Sequence, residues 1–202
     1  ALIERTLPLL REGRPARLVE RSEEEEPAFR ALNLLTSKPV VYVCNVDEAS
    51  AATGNDFSRS VEARAAGEGA VTVVISARIE AEIALLPEAE RAEYLDAIGL
   101  ERPGLDPLIR AGYELLGLIP YFTVGPKEAR AWTIEKGTRA PQAAGVIHTD
   151  FEKGFIRAET IAYDDFVACG GETAAKDAGK MRLEGKDYVV RDGDVMHFRF
   201  AN

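Results

Sequence analysis

Two short runs of apolar, β-branched residues, Pro39-Val-Val-Tyr-Val-Cys44 and Ala70-Val-Thr-Val-Val-Ile75, constrain this chain more than any other feature in it. Neither run alternates polar with apolar, so each reads as a strand buried on both faces, as in parallel sheets. Between them lie a polar loop, Asp47 to Thr53, and an amphipathic stretch holding Phe57, Val61 and Ala65. Strand, helix and strand in that order make a right-handed βαβ unit. Helices are also predicted over Arg78–Leu86 and Glu88–Ile98, broken by Pro87, and over Leu105–Leu116. Two parallel strands alone make a poor sheet, so more strands are expected from elsewhere.

The flanks differ from this centre. Before it, Leu2, Ile3, Leu7, Leu9 and Leu10 predict a helix interrupted near Pro8 and stopped by Gly13 and Pro15. Ser22 ahead of Glu23 to Glu26 reads as a helix N-terminus, with a Ser cap and a solvated acidic first turn. Phe29, Leu32 and Leu35 follow on one face, and the whole segment reads like the returning arm of a helical hairpin. After the centre, Tyr121–Val124 and Ala129–Ile134 are candidate strands separated by Gly125-Pro126. Pro141–Ile147 suits a short helix and Gly154–Ala162 a half-buried strand, with Trp132 read as core. Tyr188–Val190 and Val195–Phe200 flank Arg191-Asp-Gly-Asp194, which predicts a hairpin. Short strands around one or two helices in the last part suggest a compact α+β domain of the β-grasp kind.

Charge and cysteine content narrow the function. Residues 1–116 hold 13 Lys/Arg against 21 Asp/Glu, while residues 117–202 hold 12 against 13. An acidic total disfavours broad nucleic-acid binding, which draws on Lys and Arg, and leaves room for a local basic patch in the nearly neutral second half. Sequence-specific DNA binding is not expected. The longest uncharged stretch, from Ala31 to Val46, is broken by Lys38, and Glu4, Arg5 and Arg11 punctuate the start, so neither a membrane span nor a secretory leader is expected. Cys44, Cys169, His148 and His197 cannot build a disulfide framework or a zinc site of usual spacing. A reducing, cytoplasmic setting is expected.

Ligands of open α/β sheets bind outside the carboxyl ends of the strands. Here the first strand ends in Asn45-Val-Asp-Glu48 and the second in Ser76-Ala77, with Asn45 and Ser76 31 positions apart. Asn offers an acceptor and a donor, a match for adenine N6 and N7. P-loop GTPases carry Asn-Lys-x-Asp at such a place, its Asp accepting from guanine N1 and N2. Val46 and Glu48 replace the Lys and the Asp, and adenine has no N1 or N2 donor for that carboxylate. The same residues also suit a plain turn-forming loop.

Longer stretches carry a resemblance. Pro39 to Glu48, with Ile75-Ser-Ala-Arg-Ile-Glu80, resembles the base-recognition end of the Obg-like ATPase (YchF) family. Leu108 to Trp132 is similar to that family's junction into its TGS domain, and Ala144 to Glu159 to the TGS signature. The likeness covers nearly the whole chain. It implies an α/β partial P-loop NTPase of the Obg type joined to an α+β β-grasp TGS domain. Residues 1–35 would end a coiled-coil insertion, 36–117 would close the ATPase domain, and 118–202 would be TGS. The resemblance further implies that Asn45 contacts the base, Val46 packs beside it, Glu48 occupies the altered specificity position, and Ser76 and Ala77 support the base. The family prefers ATP to GTP and works with magnesium, and its TGS domain implies docking onto ribosomes, RNA or translation factors.

One departure is large. No G-x-x-x-x-G-K-[ST] occurs, nor an Asp-x-x-Gly switch, and Gly67-Glu-Gly69 and Gly170-Gly171 read as turns. Without the phosphate-cradling loop, its Lys and the magnesium-binding hydroxyl, in-line hydrolysis has no machinery. The chain is therefore expected to be a C-terminal portion of the enzyme, without catalytic residues or magnesium ligands and inactive on ATP by itself. His148 beside Asp150, with Lys153 and Arg157, is a candidate partner or RNA contact, although a lone His is more often structural. Cys44 reads as a small buried hydrophobe, Cys169 as more exposed, and His197 as a packed or edge side chain. The alternative function is a non-catalytic TGS module binding a protein or a regulatory ligand.

Overall fold

Asn55 starts the helix that joins the two apolar runs. Its side chain accepts the Ser58 N–H at 3.0 Å, while its own N–H donates to the Ser58 hydroxyl at 2.8 Å. Such a reciprocal cap stabilises a helix end by about 1 kcal/mol. The helix, α3 (Asp56–Glu68), ends at Gly69, whose φ of +62° closes it in the left-handed conformation. In the computed structural model, which describes residues 2–201, α3 connects β1 (Val41–Asn45) to β2 (Val71–Ile75). Ala1 and Asn202, the outer ends of the first and last blocks, lie outside the described residues. The two strands pair in parallel, Val41 with Val71 through Asn45 with Ile75. The chain divides between Leu115 and Leu116 into two units.

In the first unit, α4 (Ala77–Leu85), α5 (Glu88–Ala97) and α6 (Leu105–Leu115) follow β2. Ile79, Ile83 and Leu95 bury one another against Ala51, Tyr94 and Leu100. The strands are not buried on both faces as expected: Val43 is 46% exposed and Val71 38%. The physical reason is the size of the sheet: with two strands, both are edge strands whose side chains stay within reach of solvent.

The leading segment also departs from expectation. Helix α1 (Leu2–Arg11) runs through Pro8 without interruption. Leu2, Leu9 and Leu10 pack on Ala16, Val19 and Phe29, and this burial outweighs one missing backbone donor. Helix α2 (Glu26–Ala31) is brief and ends before Asn33, whose φ is +46°, so Leu35 is exposed rather than aligned with Phe29. The acidic run is not simply solvated. Glu25 pairs with Arg5, and Glu26 takes Arg21 at 2.5 Å and Arg30 at 2.9 Å. Glu68 of α3 receives the Tyr42 hydroxyl at 2.9 Å and Arg17 at 2.8 Å, linking the leading segment to β1.

The second unit holds a five-stranded mixed sheet in the order β4-β3-β7-β5-β6. Its strands are β3 (Leu118–Val124), β4 (Ala129–Glu135), β5 (Phe155–Ile161), β6 (Arg182–Glu184) and β7 (Val195–Phe200). Helices α7 (Ala140–Ile147) and α8 (Thr149–Lys153) cover one face, where Tyr121, Ile134, Phe155, Met196 and Phe198 form a single core. The Tyr121 hydroxyl donates to the Ala143 carbonyl at 2.8 Å, fixing α7 on the sheet. Trp132 is only half-buried; its Nε1 donates to Thr123 Oγ1 at 2.9 Å and Arg130 lies over its ring.

The expected hairpin over Arg191–Asp194 does not form. The Asp194 carboxylate accepts the Arg191 N–H at 2.9 Å and the Tyr188 hydroxyl at 2.7 Å, and Phe122 N–H reaches the Asp194 carbonyl at 2.8 Å. These bonds turn the chain into β3, so β7 pairs with β3 in parallel and with β5 antiparallel, while Val189 makes only one bridge, to Arg139. Burial, then the bond to Asp194, pushes the Tyr188 hydroxyl up to about 12. Helices α9 (Tyr163–Cys169) and α10 (Glu172–Asp177) and strand β6 were not anticipated in the sequence.

Candidate functional site

The parallel register puts Asn45 beside Ile75, so the two chain segments leaving β1 and β2 start side by side. The Val46 N–H still reaches the Ile75 carbonyl at 2.9 Å, extending the ladder by one rung. Asn45 Oδ1 accepts the Ala77 N–H at 2.9 Å, which ties the end of β1 to the first turn of α4. An N–H donor facing that atom identifies it as the amide oxygen. The Asn45 amide nitrogen is therefore the group left to address a ligand, and it can only donate.

The next residues are also committed. Asp47 caps a short 3₁₀ turn by accepting the Ser50 N–H at 2.9 Å. Glu48 is exposed and meets Arg78 Nε at 2.6 Å; Arg78 also reaches Glu82 at 3.5 Å. Tyr94 donates to Glu82, and that bond pushes the Tyr94 hydroxyl above its ordinary value. The carboxylate of Glu48 thus faces a guanidinium from the start of α4. The spacing from Glu48 to Arg78 has no periodicity that would reveal it.

Ser76 and Ala77 behave differently from each other. Ala77 is exposed beside Asn45, whereas Ser76 is buried and its hydroxyl has no partner among the described residues. Ser76 borders a cavity of about 350 Å³ with Ala51, Glu80, Leu100, Arg102 and Gly104, which Asn45, Val46, Glu48 and Ala77 do not line. Glu80 accepts the Gly104 N–H at 2.7 Å and the Leu105 N–H at 3.3 Å, anchoring the start of α6. Asn45, Val46, Glu48 and Ala77 therefore share the open end of the sheet, and Ser76 lies beneath it. Cys44 is half-buried, as is Cys169, and both are free thiols.

The candidates of the second unit are not all brought together. His148 Nδ1 accepts the Asp150 N–H at 3.2 Å, so the ring caps α8 at its start. Lys153 closes the same helix and is exposed. Arg157 belongs to β5 and pairs with Arg199, whose neighbours Phe198 and Phe200 point to the helical side, Phe200 stacking on Phe151 of α8. Strand alternation therefore puts Arg157 on the sheet face opposite His148 and Lys153. His197 shares that open face on a central strand, exposed rather than packed or at an edge. Among the described residues, no group of three or more His, Cys, Asp or Glu side chains could hold a metal ion, and no helix is long and apolar enough to cross a membrane.

Residues 118–201 match the YchF-GTPase C-terminal family, described as a protein of unknown function (DUF933). The Ribosome-binding ATPase YchF of Bacillus subtilis is 54% identical over 189 residues, covering 93% of this chain and 52% of the relative. Obg-like ATPase 1 of Rattus norvegicus is 46% identical over 176 residues, covering 83% of this chain and 43% of the relative. The solved structure of the Schizosaccharomyces pombe YchF GTPase superposes with a TM-score of 0.86 at 36% identity, over 98% of this chain and 53% of that one. The chain thus spans about half the length of the relatives it matches.

Proposed function

Because this chain belongs to the YchF family of Obg-like ATPases, we propose that its first unit supplies the base-reading wall of an ATP hydrolase and its second unit carries that enzyme to ribosomes. On this reading residues 1–35 end the coiled-coil insertion, 36–117 complete the ATPase domain and 118–202 are the β-grasp TGS domain. The mixed sheet with helices on one face supports the TGS assignment. The relatives' names support ribosome association and ATP hydrolysis, and a cytoplasmic location follows from that partner.

The observation that carries the base-site reading is the Asn45 Oδ1–Ala77 N–H bond. It fixes the Asn45 amide as an outward donor at the shared strand end. Purine N7 is an acceptor in adenine and guanine alike, so Asn45 anchors either base. Discrimination then falls to Glu48. Guanine would need that carboxylate free to accept from N1 and N2, and Arg78 already occupies it. Val46 packs beside the ring, Ala77 supports it, and Ser76 supports Ala77 from below. ATP and magnesium serve the full-length enzyme. The residues here fit the base alone; the triphosphate and its Mg²⁺ would be held outside this chain, so the 202-residue chain by itself neither hydrolyses nor tightly binds ATP.

Nucleotide titration of the full-length protein tests this. ATP should bind more tightly than GTP, and Asn45→Ala should weaken both by about tenfold, the loss of one hydrogen bond with its partner left unpaired. Unchanged affinities in Asn45→Ala would remove Asn45 from the base site, and saturable ATP turnover by the 202-residue chain would show that the phosphate machinery lies within it.

A further inference from the structure

Ser76 stands at the N-cap position of α4 and does not cap it. Its backbone is extended, as a cap requires, yet its hydroxyl accepts no N–H of that helix. The residue is 3% exposed, and the hydroxyl has no partner among the described residues. Burying a hydroxyl without a partner is costly. Ser76 borders the cavity of about 350 Å³ under the strand end. That volume is at the small end of the range for small-molecule sites, about 300–1,000 Å³. One helical turn on, the Glu80 N–H donates to the Ser76 carbonyl at 3.1 Å, so the two side chains leave the same face of α4. The Gly104 and Leu105 N–H groups fix the Glu80 carboxylate, one on each oxygen, and each oxygen keeps a lone pair with which to accept. Arg102, on the loop before α6, lines the same cavity, and its Nη2 lies 3.9 Å from Glu101, at the outer limit of an ion pair. Ile75 and Leu100 supply apolar wall.

We propose that this cavity holds a free apolar α-amino acid of about the size of leucine. Glu80 and the Ser76 hydroxyl take its ammonium, Arg102 takes its carboxylate, and Ile75 and Leu100 pack on its side chain. A ligand with an ammonium alone would leave the guanidinium unanswered. One with a carboxylate alone would bring negative charge against Glu80 and Glu101. A zwitterion answers both signs within one small molecule, and the apolar wall selects its side chain. Bound there, it gives the Ser76 hydroxyl the partner that the fold withholds. Asn45, Val46, Glu48 and Ala77 do not line the cavity, so the proposal stands apart from the base-site reading.

The test is a calorimetric titration of the full-length protein with leucine, its nucleotide site kept filled by Mg²⁺ and a non-hydrolysable ATP analogue. Leucine should bind saturably. Isoamylamine, which lacks the carboxylate, and isocaproate, which lacks the ammonium, should each bind at least about tenfold more weakly, one charge-assisted contact being lost. Arg102→Gln should abolish the advantage of leucine over isoamylamine and leave the affinity for isoamylamine unchanged, a pattern that a merely structural role would not produce. Ser76→Ala should weaken leucine by about tenfold. It should also keep or raise the thermal midpoint, because an unpartnered buried hydroxyl is gone, so lost binding would not reflect lost folding. The proposal is overturned if leucine does not bind saturably, which would leave water as the partner of Ser76. It is equally overturned if either truncated analogue binds as tightly as leucine, or if both variants bind leucine as the parent does. Leucine that binds only when the ATP analogue is left out belongs to the nucleotide cleft, and that result also removes it from the cavity.

Discussion

The two units solve the problem of burying a sheet in opposite ways. The second packs five strands against α7 and α8 around one continuous core, with Tyr121 wholly buried at its centre. The first has two strands, separate small clusters, and valines of both strands reaching solvent. A unit with its own core tolerates a specialised surface, whereas a thin sheet keeps its order through ties between side chains and backbone. The proposed base-reading corner is held by single bonds at strand ends.

Tyr121→Ala should have the largest effect, about 3–5 kcal/mol of stability lost from the second unit, read by chemical denaturation. Val43→Thr in the 202-residue chain should cost less than about 0.5 kcal/mol, because that side chain is half exposed. Comparable costs at both positions would erase the contrast. Asn45→Ala should lower the stability of the first unit by about 1 kcal/mol through loss of the bond to Ala77, visible as faster hydrogen exchange at the start of α4.

A smaller effect is expected from acid. The Tyr42 hydroxyl, then Arg64 and Arg17, hold the Glu68 carboxyl below its ordinary value of 4.5. A carboxyl depressed in the folded state contributes stability that is present above its unfolded value and lost as pH falls through the folded one. Thermal melts of the 202-residue chain should therefore fall from about pH 5 downward, and Glu68→Gln should flatten part of that decline. A modest effect is also expected from Arg78→Ala. An exposed ion pair contributes at most about 1 kcal/mol, so freeing Glu48 should shift the ATP-to-GTP affinity ratio of the full-length protein toward GTP by no more than about fivefold.

Much of the first unit was legible in residue pattern. The apolar, β-branched runs marked β1 and β2, and the stretch holding Phe57, Val61 and Ala65 marked α3, because these signals are local. The Arg191–Asp194 segment misled for the same reason. Its residues suit a tight turn anywhere, and only the bonds from Asp194 to Tyr188 and from Phe122 decide where the chain goes next. Strand β6 is three residues long, and α10 six, too short to show a period. The Glu48–Arg78 pair and the Arg157–Arg199 rung join residues far apart in sequence, so neither existed as a feature until the register was known.

The junction at Glu68 has a mechanical reading. Arg17 grips its carboxylate from the leading segment, and Tyr42 grips it from the strand that delivers Asn45. A pull on that arm is thus transmitted to the sheet through two side-chain links, bypassing the intervening backbone. One acidic side chain therefore binds the leading segment, α3 and β1 together.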